Sequence, residues 1–385
     1  MGLASVTAGV IALVLAGGFI DWIYWSMRES TIGSRIGHIQ VVRTGFLRSG
    51  AADPSAYLLP KADQLSDELA RVPGVRSVAP RLEVSGLVSH GDTTVSFVGE
   101  GIDPAREASF ERFVVVSAGR SLSSTDERAI VVGKGLAENV GIHPGDSVVL
   151  LTNKPSGGIS AVEVKVVGSF STATKAYDDS ALRMPIQLAR QFSGMQGAHA
   201  LVMMLDRTDE TDMVAGDIRR LLPAGLEAVP WYRLADFYNK TVALFSRQVT
   251  VIWLIVAAII ILSISNTMVM TVMERTSEIG TAMALGTSRT RIRTQFILEG
   301  LTLGILGGSL GIMLGFILAT IISMIGIPMP PPPGMSHGYV GEVLLSAPLL
   351  IKAFAVAAAT AVVASVYPAL RASRLSIVDA LRAAR

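Results

Sequence analysis

Cysteine is absent from this 385-residue chain. That absence excludes disulfide frameworks, thiolate metal sites and cysteine nucleophiles together, whatever the compartment. Charge is scarce as well: Asp, Glu, Lys and Arg supply 17% of the residues and nearly cancel, leaving a formal +2. So small a balance argues against binding nucleic acid or another polyanion through bulk charge. A phosphate-binding loop is missing too. The "GKG" at residues 133–135 lacks both the earlier Gly and the following Ser/Thr of a P-loop, so no ATP site is encoded there. His38, His90, His143, His199 and His337 lack the spacing and acidic neighbours of a metal site. "GGSLG" at residues 307–311 fits G-x-S-x-G, but a nucleophile elbow needs a strand-to-helix turn and this stretch lies inside an apolar run. Asp178 and Asp179 form an acidic pair in a polar stretch and read as a solvated turn. Catalytic, cofactor-binding and metal residues are therefore expected to be absent.

What the chain has in abundance is apolar surface. Half of its residues are hydrophobic, and the mean hydropathy of +0.50 exceeds that of an ordinary soluble domain. A bilayer core of about 30 Å needs roughly 20 apolar residues in a helix. Four such stretches are expected to span: residues 1–27, 248–273, 300–327 and 347–370. The first ends in "DWIYWSM", whose Trp22, Tyr24 and Trp25 suit an interfacial aromatic belt, and it reads as a retained span rather than a cleaved signal peptide. Arginine sets the orientation. Arg275, Arg289, Arg291 and Arg293 follow the second span, and Arg371, Arg374, Arg382 and Arg385 follow the fourth, whereas the turn at 328–346 has no Lys or Arg. Segments 274–299 and 371–385 are thus expected in the cytoplasm, together with the N-terminus, and residues 28–247 outside.

The outer region alternates strand and helix signals. "IGHIQVV", "ADQLSDELARV" and "GVRSVAPRLEVSGLVS" read as strand, helix, strand, and "AHALVMMLD", "DETDMVAGDIRRLL" and "GLEAVPWYRL" repeat that order. The two units, about 33–102 and 173–238, are expected to share one α/β sheet layer around a β-rich insert at about 103–172. The expected fold class is four transmembrane helices plus an α/β extracytoplasmic domain with an inserted, mostly β subdomain.

Packing signals lie inside the spans. Gly300, Gly304 and Gly308 recur every four residues, as do Gly307, Gly311 and Gly315, so the third span carries two small-residue stripes that permit close helix approach. Ser263, Ser265, Asn266 and Thr267 in the second span are expected to hydrogen-bond across helices. The proline run in "IPMPPPPGMSHGYVGE" reads as an extended, semi-rigid element. Between the second and third spans, "ERTSEIGTAMAL" places Ile279, Ala282 and Met283 at helical spacing, with Glu274 and Glu278 one turn apart. Gly286 is positioned to end that helix before Thr287 or Ser288 caps the next. A short amphipathic helix joined to two spans offers a cytoplasmic partner a handle.

"ERTSEIGTAMALGTSRTRIRTQFILEG", the tail "YPALRASRLSIVDALR" and "VVGKGLAENVGIHPGDSVVL" together resemble the permeases of MacB/FtsX-like, or type VII, ABC transporters. The likeness covers the whole layout of one span, a large outer domain and three spans. Two features depart from the pattern. The basic amphipathic helix that usually precedes the first span is missing, and Ile377 stands where Pro is common, although Ser376 and Asp379 still make a capping box. The resemblance implies a separate ATPase that binds ATP and Mg and docks on Glu274, Glu278, Ile279, Ala282, Met283 and Gly286. It also implies a second permease copy or relative, contact with membrane lipid, and a lipoprotein or periplasmic partner protein, without nucleic acid. "PMPPPPGM" beside "GHIQVV" looks most like the lipoprotein-releasing LolC/LolE-type branch. The alternatives are a mechanical regulator of cell-wall hydrolases, FtsX-like in character, and a membrane-embedded hydrolase.

Overall fold

The computed structural model describes residues 2–50, 52–59, 61–107, 110, 114–172, 174–330 and 338–376. Most of the proline run, His337, the Asp379 capping box and the last arginines lie outside the described residues.

Among the described residues, four helices are long and apolar enough to cross a membrane. The first, Gly2–Thr31, passes directly into a five-residue π-helical turn, Ile32–Ile36. The second, Asp236–Glu274, starts well before the expected residue 248, because the polar stretch "DFYNKTVALFSRQ" has no helix breaker and simply extends the helix. The third, Arg289–Ile325, likewise begins before residue 300, so Arg289, Arg291 and Arg293 form its first turns rather than a loop. The fourth is Ala347–Ser373, with Ser346 capping it by accepting from the Leu349 backbone N–H.

Glycine decides how these helices meet. A Cβ on Gly307, Gly311 or Gly315 would lie 2.7, 2.5 or 3.2 Å from Val6, Val10 or Val14 of the first helix. On the neighbouring face, a Cβ on Gly300 or Gly304 would lie 2.5 or 2.7 Å from Ser365 or Ala361 of the fourth helix, and one on Gly308 would lie 3.1 Å from Phe354. One stripe therefore admits the first helix and the other the fourth. Both numbers rise together along the first pairing and in opposite senses along the second, so the first and third helices run parallel and the fourth antiparallel to them. In the second helix, Ser263 Oγ donates to Ser5 Oγ at 2.7 Å across to the first, whereas Thr267 bonds back to its own helix at the Ser263 carbonyl.

Residues 26–240 form a separate unit. Its ten-stranded sheet comprises β1 (Ile39–Arg43), β2 (Val75–His90), β3 (Thr93–Ile102), β4 (Val115–Gly119), β5 (Ala129–Gly133), β6 (Ser147–Asn153), β7 (Ile159–Ser171), β8 (Ala181–Pro185), β9 (Ala200–Leu205) and β10 (Leu226–Pro230). The order β10-β1-β9-β2 has antiparallel neighbours throughout. With helices Ala62–Leu69 and Thr211–Leu221 packed on one face, this is a split βαβ arrangement. Ile39, Val41, Leu69, Leu201, Met203 and Ile218 are fully or almost fully buried in its core.

A second core, around Leu82, Phe97, Ile130, Leu136, Leu150 and Phe192, belongs to the β-rich module. Strand β2 serves both. It pairs with β9 up to Arg81 and with β3 from Leu82 onwards. The module therefore starts near residue 82 rather than 103 and includes β8 and helix Ile186–Ser193, because β3 pairs with β8 and not with β1 or β9. The Asp178 pair is also corrected. Asp178 is buried, accepting from the Thr172 backbone N–H and from the hydroxyls of Ser171 and Thr172, so it ties down the end of β7 instead of sitting in solvent.

Candidate functional site

The sharpest local feature of the helical bundle is the connection between its second and third helices. Arg275 leaves helical geometry, the short helix Thr276–Ala284 follows, and Gly286 takes a left-handed φ of +96°. The Thr287 N–H bonds the Ala282 carbonyl and the Gly286 N–H bonds the Met283 carbonyl, the paired bonds of a Schellman stop. Ser288, not Thr287, then caps the third helix, its Oγ accepting from the Arg291 N–H. The chain reverses within a few residues, and both ends of the short helix are pinned to long ones.

Its faces are not as the sequence suggested. Ile279 and Met283 are 7% and 8% exposed and join Val272, Ile292, Phe296, Ala369 and Ala372 in the bundle's own core. They cannot serve as a ridge for another protein. Helical spacing correctly marked them as one face, but one apolar face has only one place to go, and the chain's own core takes it. The opposite side carries Glu274, Glu278, Thr281 and Leu285, with Ala282 half-buried beside them. Leu285 is 84% exposed, which is unusual for a Leu next to a well-formed helix stop. It was missed because it falls off the period of Ile279 and Met283; its signal was an apolar residue directly before a capping Gly. Arg275 stays near Glu299 of the third helix, at 4.0 Å.

The outer unit holds a different concentration of polar chemistry. Arg81 makes a two-pronged ion pair with Glu107, 2.7 and 2.8 Å, and Glu100 sits 3.4 Å from Arg183 and 3.2 Å from Arg35. Burial alone would raise the Glu100 pKa, but the Arg81, Arg183 and Arg35 charges outweigh it and hold the carboxyl down to about 2. Arg35, Arg81 and Arg183 all lie within 4.0 Å of this carboxylate. Among the described residues, no group of three His, Asp or Glu side chains comes together as a metal site.

The family description "MacB-like periplasmic core domain" matches residues 3–221, and "FtsX-like permease C-terminal" matches residues 250–377. The chain belongs to the MacB/FtsX-like family of ABC transporter permeases. It is a multi-pass membrane protein with an extracytoplasmic domain. It is 30% identical over 227 residues to a macrolide export ATP-binding/permease protein MacB of Rhodopirellula baltica, covering 56% of this chain and 31% of that one. A MacB of Brucella abortus is 27% identical over 370 residues, 90% of this chain and 52% of that one. An uncharacterized ABC transporter permease of Methanocaldococcus jannaschii is 27% identical over 277 residues, 69% and 65% of the two chains. The chain therefore spans from about a third to about two thirds of the length of these relatives. Among solved structures, the periplasmic region of MacB from Actinobacillus actinomycetemcomitans has a TM-score of 0.39 at 13% identity, covering 55% of this chain and 95% of that one. None of the three relatives carries a lipoprotein-release name.

Proposed function

We propose that this chain is a non-catalytic permease subunit that passes ATP-driven movement of a separate ATPase to its extracytoplasmic domain, acting as a pair of permeases on an envelope substrate. The observation that carries the reading is the short helix Thr276–Ala284, pinned at both ends and anchored by Ile279 and Met283. A push on its outer face reaches the second and third helices directly. The third helix is in turn seated on the first and fourth through glycine contacts too tight for a side chain, which favours movement of the bundle as a whole over sliding. In this reading the short helix faces the cytoplasm, and ATP and Mg are held by the ATPase alone. The substrate is engaged outside and does not thread between the helices.

The docking residues are Glu274, Glu278 and Leu285, not the buried pair. Leu285 supplies an apolar anchor and the two carboxylates can pair with basic groups of the ATPase. Leu285→Asp and Glu278→Lys should each weaken co-purification of the ATPase by about tenfold or more, with the thermal midpoint of the chain unchanged. Wild-type ATPase binding and coupled hydrolysis in the double variant would sink this assignment.

A further inference from the structure

The π-helical turn Ile32–Ile36 ends the long first helix inside the outer unit, and a helix end leaves carbonyls without intrahelical partners. Here three successive carbonyls are met by three side chains from three different strands. Arg183 Nη2 on β8 donates to the Ser34 carbonyl at 3.0 Å, Arg81 Nη1 on β2 donates to the Arg35 carbonyl, and Gln40 Nε2 on β1 donates to the Ile36 carbonyl at 2.9 Å. The two guanidiniums are almost wholly buried, and Glu100 on β3 and Glu107 balance them. Arg35 itself reaches back to Glu100 and lies over the Tyr177 ring, 4.6 Å from its centroid. One turn earlier, Glu29 accepts from Thr208 Oγ1, which is 3.0 Å from His38 Nε2.

Buried ion pairs of this kind are no more stabilising than well-packed apolar side chains of similar size, because each charge loses its hydration. What they add is direction. Arg81, Arg183 and Gln40 each spend one donor on a backbone carbonyl of one turn, and Glu100 connects all three arginines. A π-turn is a wider, poorer helical turn and would otherwise be the first place for the helix to give way.

We infer that this cluster is a latch: Arg81, Arg183 and Glu100 fix the continuation of the first membrane helix to the β-rich module, so that the two move as one rigid body. Its place in a working cycle rests on the mechanical reading given above; the rigidity itself does not. Strand β8 and the Arg81/Leu82 crossover of β2 are the points where a pull on residues 32–36 enters the module. The split βαβ sheet is held by Gln40 at the same turn, so both parts of the outer unit follow the helix.

The chain has no cysteine, so spin labels at Ser26→Cys and Asn153→Cys report one distance, between the helix and β6. The full chain is reconstituted in lipid nanodiscs with its ATPase, and the distance distribution is recorded without nucleotide and with ATP. Wild type should give one narrow distribution that is the same in both conditions. Glu100→Gln should broaden it about twofold even without nucleotide, as local opening becomes affordable to the chain. Arg35→Ala should do so more mildly, and because Arg35 is half-exposed this variant stays folded if Glu100→Gln does not. Narrow distributions in a folded variant, or a wild-type distance that changes with ATP, would overturn the latch. A second label pair between two permease copies separates the two ideas: if ATP moves nothing there while the latch variants still broaden, the mechanical reading fails and the latch stands.

Discussion

The membrane bundle and the outer unit solve the problem of a buried polar atom in opposite ways. Among the described residues, the buried polar side chains of the bundle are Thr360, Ser365 and Ser373, and each hydroxyl bonds a carbonyl of its own helix. The outer unit buries Arg81, Glu100, Glu107, Asp178, Arg183 and Arg190. In lipid, apolar side chains gain nothing by leaving the solvent, so helices are joined by close approach and dispersion, and a charge would find no compensation. The outer unit has water outside and two hydrophobic cores inside. It can carry a desolvated ion network because those cores already stabilise it, and it uses the network to fix geometry.

The difference predicts where a single substitution does most damage. Arg81→Ala leaves Glu107 charged and buried without a partner, beside an uncapped Arg35 carbonyl. The expected cost is about 3–5 kcal/mol, read as a lowered urea midpoint for the outer unit while the bundle remains assembled. A loss within 0.5 kcal/mol, roughly that of a surface change, would mean the network is not what holds this region.

In the bundle the corresponding break is steric, not electrostatic. Gly304→Ala and Gly311→Ala put a methyl group 2.7 Å from the Ala361 Cβ and 2.5 Å from the Val10 Cβ, neither of which is a flexible side-chain end. The helices must separate locally, at about 1–3 kcal/mol each. The two sites should differ in what they loosen. Engineered cross-links between the third and fourth helices should weaken with Gly304→Ala, and those between the first and third with Gly311→Ala. Equal effects on both pairs would show that the two glycine stripes are not independent faces.

These contrasts also explain what could be read from the sequence. Four spans, the glycine stripes and the strand-helix-strand repeat each follow from local periodicity, which any stretch of chain reveals on its own. The helix stop at Gly286 was legible for the same reason, since a left-handed position before a capping Ser has a recognisable signature. The latch was not. Arg35, Arg81, Glu100, Glu107 and Arg183 are spread over separate elements, and nothing local marks a charged residue on a strand as buried. The β-rich module was placed too late for a related reason, because β2 changes partners at Arg81 without any break in its strand pattern. The burial of Ile279 and Met283 was not legible, since a single apolar stripe can serve either the chain or a partner, and only packing decides which.

A smaller effect sharpens the same comparison through pH. His38 is buried where the first helix enters the outer unit; its Nδ1 accepts from the Leu205 N–H, so Nε2 carries the proton and donates to Thr208 Oγ1. Thr208 in turn donates to Glu29, which also pairs with Arg28. Burial, helped by the Arg76 and Arg28 charges, lowers the His38 pKa to about 4. The unfolded imidazole titrates near 6.5, so the folded state binds a proton less readily. Its contribution is complete above pH 6.5 and is lost as the pH falls towards 4, amounting to about 2 kcal/mol by pH 5. Glu100 stays ionised in the fold throughout that window, but the unfolded carboxyl begins to take up protons towards 4.5, so it adds a smaller loss of the same sign. His199 is shifted down by burial too, so the informative quantity is the difference between wild type and His38→Gln, which lacks the titrating ring. Between pH 7 and 5 the thermal midpoint of the outer unit should fall further in wild type than in the variant. Cross-links between the third and fourth helices should be indifferent to pH in both proteins. Parallel slopes for the two proteins would remove His38 from the acid response.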